Sequence, residues 1–327
     1  MKPLRHLNGP GMICLIMAAF SAPLTAQEPE RRGPYLGQEP PGTTPEVFGP
    51  GFFTSYATVH GRLTFSPDGQ ELYWAANAAP VQSRWHMAQG ADGIWSLPQP
   101  SWLSLEYSEN GLSFSPDGQR AYFHSRRASA EGGSARDMNL WYRERQGSGW
   151  GDPVNLGSPV NTPSISEFQP TLTNDGFLYF TREGEGGSRG SESPRPRGES
   201  DLYVSRLTAS GYSEPVVLGP EINSDYHEIE PAVAPDHSYL VFTSTRPGGF
   251  SPRINLYVSF RMEDGSWTQA LDLSEIFRLD NIWFPSISSD GRYLFFCDAH
   301  YTEDGIVGDY YWVDTRVIEE LRPGHPS

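Results

Sequence analysis

The stretch LTFSPDGQELYWA (Leu63–Ala75) places an Asp-Gly pair between two short apolar segments. An Asp-Gly pair in this setting is typical of a tight β-hairpin, because these residues tolerate the backbone angles of the turn. The same frame recurs as LSFSPDGQRAYFHS (112–125), PTLTNDGFLYFT (170–181), PAVAPDHSYLVFTS (231–244) and PSISSDGRYLFFCD (285–298). The sequence therefore contains five similar β units.

The spacing of these turns indicates the kind of repeat. The turn aspartates are separated by 49, 58, 61 and 54 residues, and they are Asp68, Asp117, Asp175, Asp236 and Asp290. A period of about fifty residues with β character is typical of a propeller blade, which has four antiparallel strands. The sequence thus predicts an all-β fold, a five-bladed β-propeller of four-stranded antiparallel blades.

The two ends of the repeat region predict how the ring closes. The last unit shows a third strand at Asp309–Val313 without a fourth. The segment PEVFG (45–49) resembles PVNLG (153–157) and PVVLG (215–219), which follow the fourth strands of earlier units. Because a free sheet edge promotes aggregation, we expect the N-terminal segment to supply the outer strand of the last blade.

The turn motif carries a family resemblance. FSPDG at Phe65–Gly69 and Phe114–Gly118, with the strand after it, resembles the PD40 (WD40-like) β-propeller repeat and is similar to the propeller of the periplasmic protein TolB. The resemblance covers about residues 45–316 and implies the propeller fold. It implies several roles, because the family includes envelope scaffolds, sensor ectodomains and propellers attached to enzymes. TolB has a further domain before its propeller, so we expect a relative and not TolB itself.

The first residues predict export. Lys2 and Arg5 precede the apolar run Met12–Phe20, and Leu24–Ala26 offers a small-residue cleavage site. This pattern is typical of a secretory signal peptide, and the apolar run is shorter than the about 20 residues that span a bilayer. We therefore expect a signal peptide at 1–26, a flexible lead-in at 27–44, the propeller at 45–316 and a C-terminal tail at 317–327. The predicted location is periplasmic or secreted, without membrane insertion.

The net charge of the chain limits the kinds of molecule that we expect it to bind. The net charge is -16, and loss of Lys2 and Arg5 with the signal peptide would make it -18. Nucleic acid and anionic membrane surfaces repel such a chain, so we expect neither as a partner. We also expect a monomer.

One end of the propeller gathers most of the candidate residues. Eight residues before the turn aspartates lie His60, three glutamates and Ile282. Antiparallel geometry puts this position beside the end of the second strand, at the end of the blade away from the Asp-Gly turn. Arginines and histidines occur there in several units. We define the mouth face as this predicted binding face at the opening of the central channel, and its residues are His60, Glu109, Glu167, Glu228, Arg126, Arg182, Arg246, His124 and His300.

The mouth face has three interpretations. Each glutamate could pair with an arginine of its own or the next blade and hold the hairpins together, as repeat-periodic polar residues often do. The face could instead form a polar pocket for a protein or a glycan. A carbohydrate-active hydrolase using two of the glutamates is the alternative, although such enzymes need carboxylates in unlike environments and equivalent repeat positions predict like ones.

Motifs of known catalytic sites do not occur in the sequence. It contains no H-E-x-x-H, G-x-S-x-G or phosphate-binding P-loop string and no EF-hand aspartate run. We therefore assign no catalytic residue, and we expect no metal and no cofactor. The sequence favours an exported, non-enzymatic binding or scaffold propeller of the bacterial cell envelope, which recognises an envelope protein or a glycan through the mouth face.

Overall fold

A computed structural model describes residues 30–55, 61–78, 81–128, 137–163, 165–183, 200–249, 253–302 and 305–324. The chain divides into Met1–Glu30 and Arg31–Ser327, and all strands reported below belong to the second unit. The predicted signal peptide lies outside the described residues. Within them, no helix has the length and apolar character needed to cross a membrane.

Five antiparallel sheets, each with four main strands, form a five-bladed β-propeller. We number the blades 1 to 5 along the chain and letter their strands A to D in order. Blade 1 consists of Thr64–Phe65, Glu71–Ala78, Val81–Ala88 and Gln99–Pro100. Blade 2 consists of Asn110–Phe114, Arg120–Ser125, Asn139–Gln146 and Val154–Asn155.

The remaining blades repeat this order. Blade 3 consists of Glu167–Leu172, Phe177–Glu183, Ser200–Thr208 and Val216–Val217. Blade 4 consists of Glu228–Val233, Tyr239–Ser244, Asn255–Phe260 and Leu271–Asp272. Blade 5 takes A, B and C from Ile282–Ile287, Tyr293–Asp298 and Tyr310–Asp314. The A strands of blades 2, 3, 4 and 5 contact one another in that order, which identifies them as the inner strands.

Short elements connect these strands. Gly149–Trp150 and Gly211–Tyr212 add to strand C of blades 2 and 3, and His300–Thr302 pairs with Gly305–Val307. The described residues also include 3-10 helices at Pro34–Gly37 and Phe53–Ser55 and α-helices at Leu273–Phe277 and Arg316–Glu319.

The Asp-Gly turns of blades 1, 2 and 5 share one hydrogen-bond arrangement. In blade 2 the Ser115 hydroxyl donates to Asp117 Oδ1 at 2.6 Å, and the backbone N–H of Gln119 donates to the same oxygen at 3.0 Å. Gly118 has a φ of 68°, a left-handed conformation that glycine adopts without steric cost. In blade 4 His237 takes the glycine position with a φ of 66°. The repeated turn motif therefore encodes the repeated hairpin.

The ring closes as the sequence predicts. The outer strand of blade 5 is Glu46–Val47, whose residues pair with Trp312 and Tyr311 of strand C. Phe48 continues this strand, and its N–H donates to the Tyr310 carbonyl at 2.7 Å. Its ring is 1% exposed and lies 5.0 Å from the Trp312 ring, between centroids. The closing segment is thus held by backbone pairing and by the aromatic core.

The lead-in expected to be flexible is packed in the part that the structure describes. The Tyr35 ring contacts those of Tyr293 and Trp312, with centroids 5.0 and 5.5 Å apart. Gly42 accepts a hydrogen bond from the Asp314 N–H. At the other end Ile318, assigned to the tail, is fully buried in the core. Tyr35 and the buried Leu36 therefore pack this part of the lead-in against the aromatic core of the closing blade.

A β-bulge interrupts strand A in blades 2 to 5. The pairing register with strand B shifts between Asn110 and Ser113 in blade 2 and at the corresponding place in the other three. The residue at the bulge has a positive φ in each case, and these residues are Gly111, Gln169, Glu230 and Phe284. A bulge redirects side chains locally. These residues lie six positions before the turn aspartate, and in blades 2 to 4 they come two positions after the glutamate of the mouth face.

Phe48→Ala should destabilise the protein by about 3–5 kcal/mol, the usual cost of removing a buried aromatic side chain. The matched control is Val216→Ala in strand D of blade 3, where Val216 is 62% exposed. This change should cost less than about 0.5 kcal/mol, as most surface substitutions do. Denaturant unfolding measures both. Equal stabilities of the two variants would contradict closure by this segment.

Candidate functional site: the mouth face and the channel axis

Glu109 of blade 2 forms an ion pair and hydrogen bonds with side-chain and backbone groups of its own blade. Its side chain has no exposed surface, and Oε1 lies 2.5 Å from Nε of Arg127. The Ser125 hydroxyl donates to Oε1 at 3.2 Å, and the Ser104 N–H donates to Oε2 at 2.7 Å. The arginine partner is Arg127, the residue that follows Arg126 of the mouth face. Glu109 thus links the loop before strand A to the end of strand B.

Glu228 repeats this arrangement in blade 4. Its buried Oε1 lies 3.1 Å from Nη2 of Arg246. It also accepts the hydroxyls of Ser244 and Ser224, at 2.6 and 2.7 Å. Arg246 donates as well to the carbonyl of Ile222. The glutamate, the serine and the arginine two residues after that serine recur in the same frame in blades 2 and 4.

Glu167 of blade 3 is also bound to an arginine, but it has fewer hydrogen-bond partners than Glu109 and Glu228. Arg182 Nε lies 3.1 Å from Oε1, which also accepts the Thr162 N–H at 3.1 Å. Oε2 is buried and has no hydrogen-bond partner among the described residues. Burial raises the pKa of Glu167 to about 8, although Arg182 and Thr162 oppose this shift. All three glutamates are therefore enclosed and bound to an arginine of their own blade, as in the pairing interpretation.

The other predicted residues of the mouth face have separate surroundings. His60 lies outside the described residues. His300 is half exposed, and its Nε2 lies 3.5 Å from Asp298 Oδ2 in blade 5. Arg126 follows strand B of blade 2, and its N–H donates to the Tyr107 carbonyl at 2.8 Å. The Arg126 Nε atom is buried and has no partner among the described residues.

The channel axis is occupied by residues that the sequence analysis did not select. Six positions before the turn aspartate of blade 1 lies Arg62, which is 5% exposed. Its Nη1 donates to the Pro170 carbonyl of blade 3 and its Nη2 to the Pro231 carbonyl of blade 4, both at 2.9 Å. Burial lowers the pKa of Arg62 to about 10. One guanidinium group therefore connects three blades across the axis.

Glu230 is the acidic group of this axial cluster. Its Oε2 accepts the Phe284 N–H of blade 5 at 2.7 Å and the Thr243 hydroxyl at 3.2 Å. The Glu230 N–H donates to the Thr181 hydroxyl of blade 3 at 3.1 Å. Burial raises the pKa of Glu230 to about 7, against the opposing effect of Phe284 and Arg62. Glu230 therefore joins strand A of blade 4 to strand B of blade 3 and to strand A of blade 5.

His124 lies next to this cluster rather than on the open face. It is 5% exposed, and its Nδ1 accepts the Gln169 N–H at 3.3 Å. Gly111 leaves room for it, because a Cβ atom at Gly111 would come within 2.8 Å of Nδ1 and 2.9 Å of Gln169 Oε1. Burial lowers the pKa of His124 to about 3, and Arg84, Arg62 and Arg126 act in the same direction. His124 is therefore a neutral imidazole among cationic groups.

A groove opens at the opposite end of the propeller. It has a volume of about 610 Å³ and lies between the Asp-Gly turns of blades 1 and 2. Glu71 and Arg145 form a bidentate ion pair at its edge, with distances of 3.0 and 2.7 Å. This pair joins the two blades. The predicted site residues lie at the other end of the propeller.

Comparison with known proteins identifies no family for this chain. No family model and no curated protein matches the chain. TolB from Acinetobacter baumannii is 14% identical with a TM-score of 0.43, over 74% of this chain and 52% of TolB, so the chain spans about half of that protein. A gluconolactonase from Xanthomonas campestris is 15% identical with a TM-score of 0.45, over 77% of this chain and 76% of its own. The catalytic domain of a GH62 α-L-arabinofuranosidase from Coprinopsis cinerea is 10% identical with a TM-score of 0.47, over 78% and 90%.

Glu228→Ala should destabilise the protein by about 3–5 kcal/mol, because it leaves the Arg246 guanidinium without its buried partner. The control is Glu144→Ala, which removes an ion pair to Arg120 whose glutamate is 56% exposed. Exposed pairs contribute about 0–1 kcal/mol. Thermal and denaturant unfolding measure both variants. If Glu228→Ala left the stability unchanged, the ion pair between Glu228 and Arg246 would not stabilise blade 4.

Glu230→Gln should change the pH dependence of stability. The pKa of Glu230 is about 7 in the fold, against 4.5 as the ordinary value. The folded state therefore holds this proton more tightly, and the free energy of unfolding falls as pH rises from about 4.5 to about 7, by at most about 3 kcal/mol. Glu230→Gln has no carboxyl group that titrates at this position. Its free energy of unfolding should therefore rise relative to that of the wild type across this pH range. The control is Glu214→Gln at an exposed residue, which should show the same dependence of stability on pH as the wild type. If the stability of Glu230→Gln also ran parallel to that of the wild type across this pH range, the raised pKa of Glu230 would be contradicted.

Proposed function

We propose that this chain is an exported, non-enzymatic binding propeller of the bacterial cell envelope, and that its mouth face recognises an envelope protein or a glycan. The observation that carries the proposal is the state of Glu109, Glu167 and Glu228. Each is fully buried and bound to an arginine of its own blade. Since these carboxylates are already engaged, the mouth face is equipped for recognition and not for proton transfer to a substrate.

The burial of the three glutamates also disfavours the alternative that the protein is a glycoside hydrolase. A glycoside hydrolase needs two carboxyl groups about 5–10 Å apart, with a sugar between them. The three glutamates belong to different blades and have no exposed surface, so a glycosidic bond has no approach to any of them. The raised pKa of Glu167 is that of an enclosed group and does not provide an accessible acid.

The loops beside the mouth face also carry aromatic side chains suited to a partner. Tyr226, on the loop before strand A of blade 4, is 44% exposed. Tyr107 occupies the equivalent place in blade 2, ten residues before the turn aspartate, and the Arg127 guanidinium lies 4.1 Å from its ring centroid. Tyrosine and arginine are enriched at recognition surfaces, because they combine apolar area with hydrogen-bond donors.

Photo-crosslinking in intact cells tests this proposal. We expect a p-benzoylphenylalanine residue in place of Tyr226 to give a discrete adduct with a protein or a glycan. The matched control replaces Met262, which is also 44% exposed and belongs to blade 4 but lies at the Asp-Gly turn end. It should give no adduct, because the predicted partner binds the mouth face.

The same cells test export. The full chain should be recovered outside the cytoplasm, and a chain that lacks residues 2–26 should stay inside and lose the adduct. Adducts of equal yield from both positions, or none from position 226 in an exported chain, would overturn the mouth-face proposal. Cytoplasmic recovery of the full chain would overturn the location.

A further inference from the structure

The turn of blade 4 differs from the other four turns at one residue. Glycine follows the turn aspartate in blades 1, 2, 3 and 5, with a φ between 68° and 88°. Blade 4 has His237 at this place, with a φ of 66°. A residue that carries a Cβ atom is strained in this left-handed conformation. Glycine would suit the turn better, so the contacts of the imidazole must offset the strain.

The imidazole joins blade 4 to blade 3. Its Nε2 lies 2.6 Å from the Tyr179 hydroxyl, and its Nδ1 lies 3.2 Å from Asp175 Oδ2. Burial acts to raise the pKa of Asp175, but hydrogen bonds from Thr173 and His237 outweigh it and lower the pKa. Asp175 is therefore a carboxylate that accepts the Nδ1 proton, which leaves Nε2 to accept the Tyr179 hydroxyl. A neutral imidazole thus satisfies both partners.

The imidazole is enclosed, whereas its carboxylate partner is open to water. The His237 side chain is 4% exposed, and the rings of Phe177 and Trp267 lie 4.6 and 6.2 Å from it, between centroids. The Asp175 side chain is 53% exposed. A positive charge on the ring would therefore be buried, although one end of the hydrogen-bonded chain reaches the surface.

The equivalent tyrosines of blades 1 and 2 have partners that do not titrate near neutral pH. The tyrosines that pair with strand A four positions before the turn aspartate are Tyr73, Tyr122 and Tyr179. The Tyr73 hydroxyl accepts the indole N–H groups of Trp102 and Trp150, at 3.3 and 3.4 Å. The Tyr122 hydroxyl accepts that of Tyr212 at 3.2 Å. Of the three tyrosines, Tyr179 is the one that is bonded to a histidine, the side chain whose charge changes near neutral pH.

Charged groups from both blades and from the C-terminal segment surround His237. They are Asp175 and Arg206 of blade 3, Asp236 and Arg261 of blade 4, and Arg322. Arg206 lies 5.3 Å from the Phe177 ring centroid, and Arg322 donates to the Ser238 carbonyl at 3.3 Å. Burial lowers the pKa of His237 below its ordinary value of 6.5, the hydrogen bond to Asp175 opposes this shift, and Arg261 adds to it. The folded joint therefore favours the neutral ring.

We propose that Asp175, His237 and Tyr179 form an acid-sensitive latch between blades 3 and 4, which is closed while the imidazole is neutral and opens when it takes a proton. The added proton would occupy Nε2, where the neutral ring accepts the Tyr179 hydroxyl, so that hydrogen bond would be lost. It would also place a positive charge in an enclosed position near Arg261. The latch lies at the Asp-Gly turn end of the propeller and does not depend on the binding proposed for the mouth face.

The latch makes the equilibrium constant for opening this joint depend on pH. In the open joint the imidazole has its ordinary pKa of 6.5, and in the closed joint its pKa is lower. The open state therefore binds more protons below pH 6.5. The opening constant should rise as the pH falls below this value, with a slope that approaches about tenfold per pH unit, and it should be constant at higher pH.

Native-state hydrogen exchange of the purified full chain measures this opening constant. The reporter is the N–H of Asn174, which donates to the Pro235 carbonyl at 2.8 Å across the joint. After correction for the intrinsic exchange rate, its opening constant should rise in acid as described. His237→Gly, which restores the glycine of the other turns, should abolish this pH dependence. His237→Asn should do the same, since asparagine also tolerates the left-handed conformation.

The control for the histidine variants is His227→Gln, at a partly exposed histidine just before strand A of blade 4. It should keep the pH dependence of the wild type. A rise of the opening constant in acid that persists in both His237→Gly and His237→Asn would overturn the latch. An imidazole of His237 that titrates at 6.5 or above in the folded chain, measured by NMR, would overturn it as well.

A pair of tyrosine variants tests the hydroxyl. Tyr179→Phe removes the hydrogen bond to Nε2 of the neutral ring, so the pKa of His237 should move up toward 6.5. Tyr122→Phe removes the equivalent hydroxyl of blade 2 and should leave the pKa of His237 as in the wild type. An unchanged pKa of His237 in Tyr179→Phe would overturn the part assigned to this hydroxyl.

Discussion

Closure of the ring is the constraint on which the rest of the structure depends. Two residues of strand D, Glu46 and Val47, pair with the last unit of the chain. This pairing sets blade 5 against blade 1, where the Ser286 hydroxyl donates to the Leu63 carbonyl and Tyr310 donates to that of Gly61. A sheet with a free edge would invite pairing with other chains. The short closing strand is supported by buried aromatic rings, because two residues of backbone pairing give little stability alone.

The axial cluster exists only in the closed ring. Arg62 of blade 1 donates to carbonyl groups in blades 3 and 4, and Glu230 of blade 4 receives a backbone N–H of blade 5. No single blade contains these groups. The bulges of the inner strands make the contacts possible, since they turn the bulged residues from their regular course toward the neighbouring blade. The axial cluster is therefore a property of the assembled ring.

The glutamates and the axial residues lie two positions apart along the chain and make different contacts. Glu109, Glu167 and Glu228 lie eight residues before the turn aspartate and hold the loops of their own blades. Arg62 and Gln169 lie six residues before it and face other blades. The periodic glutamates are the more visible pattern in the sequence. The irregular positions are the ones that distinguish this propeller, because polar residues that recur from blade to blade tend to serve the repeat.

The sequence by itself determined the repeat, the number of blades, the antiparallel strands and the closing segment. These follow from local rules, since an Asp-Gly turn such as Asp117–Gly118 and the alternation of its flanking strands are encoded within a few residues. Only the tertiary structure decided that Arg127 and not Arg126 binds Glu109, that residues 31–44 are packed, and that His124 lies at the axis. These facts depend on bulges and on contacts between residues far apart in the chain. Such contacts form only when all five sheets are in place, and no local pattern specifies them.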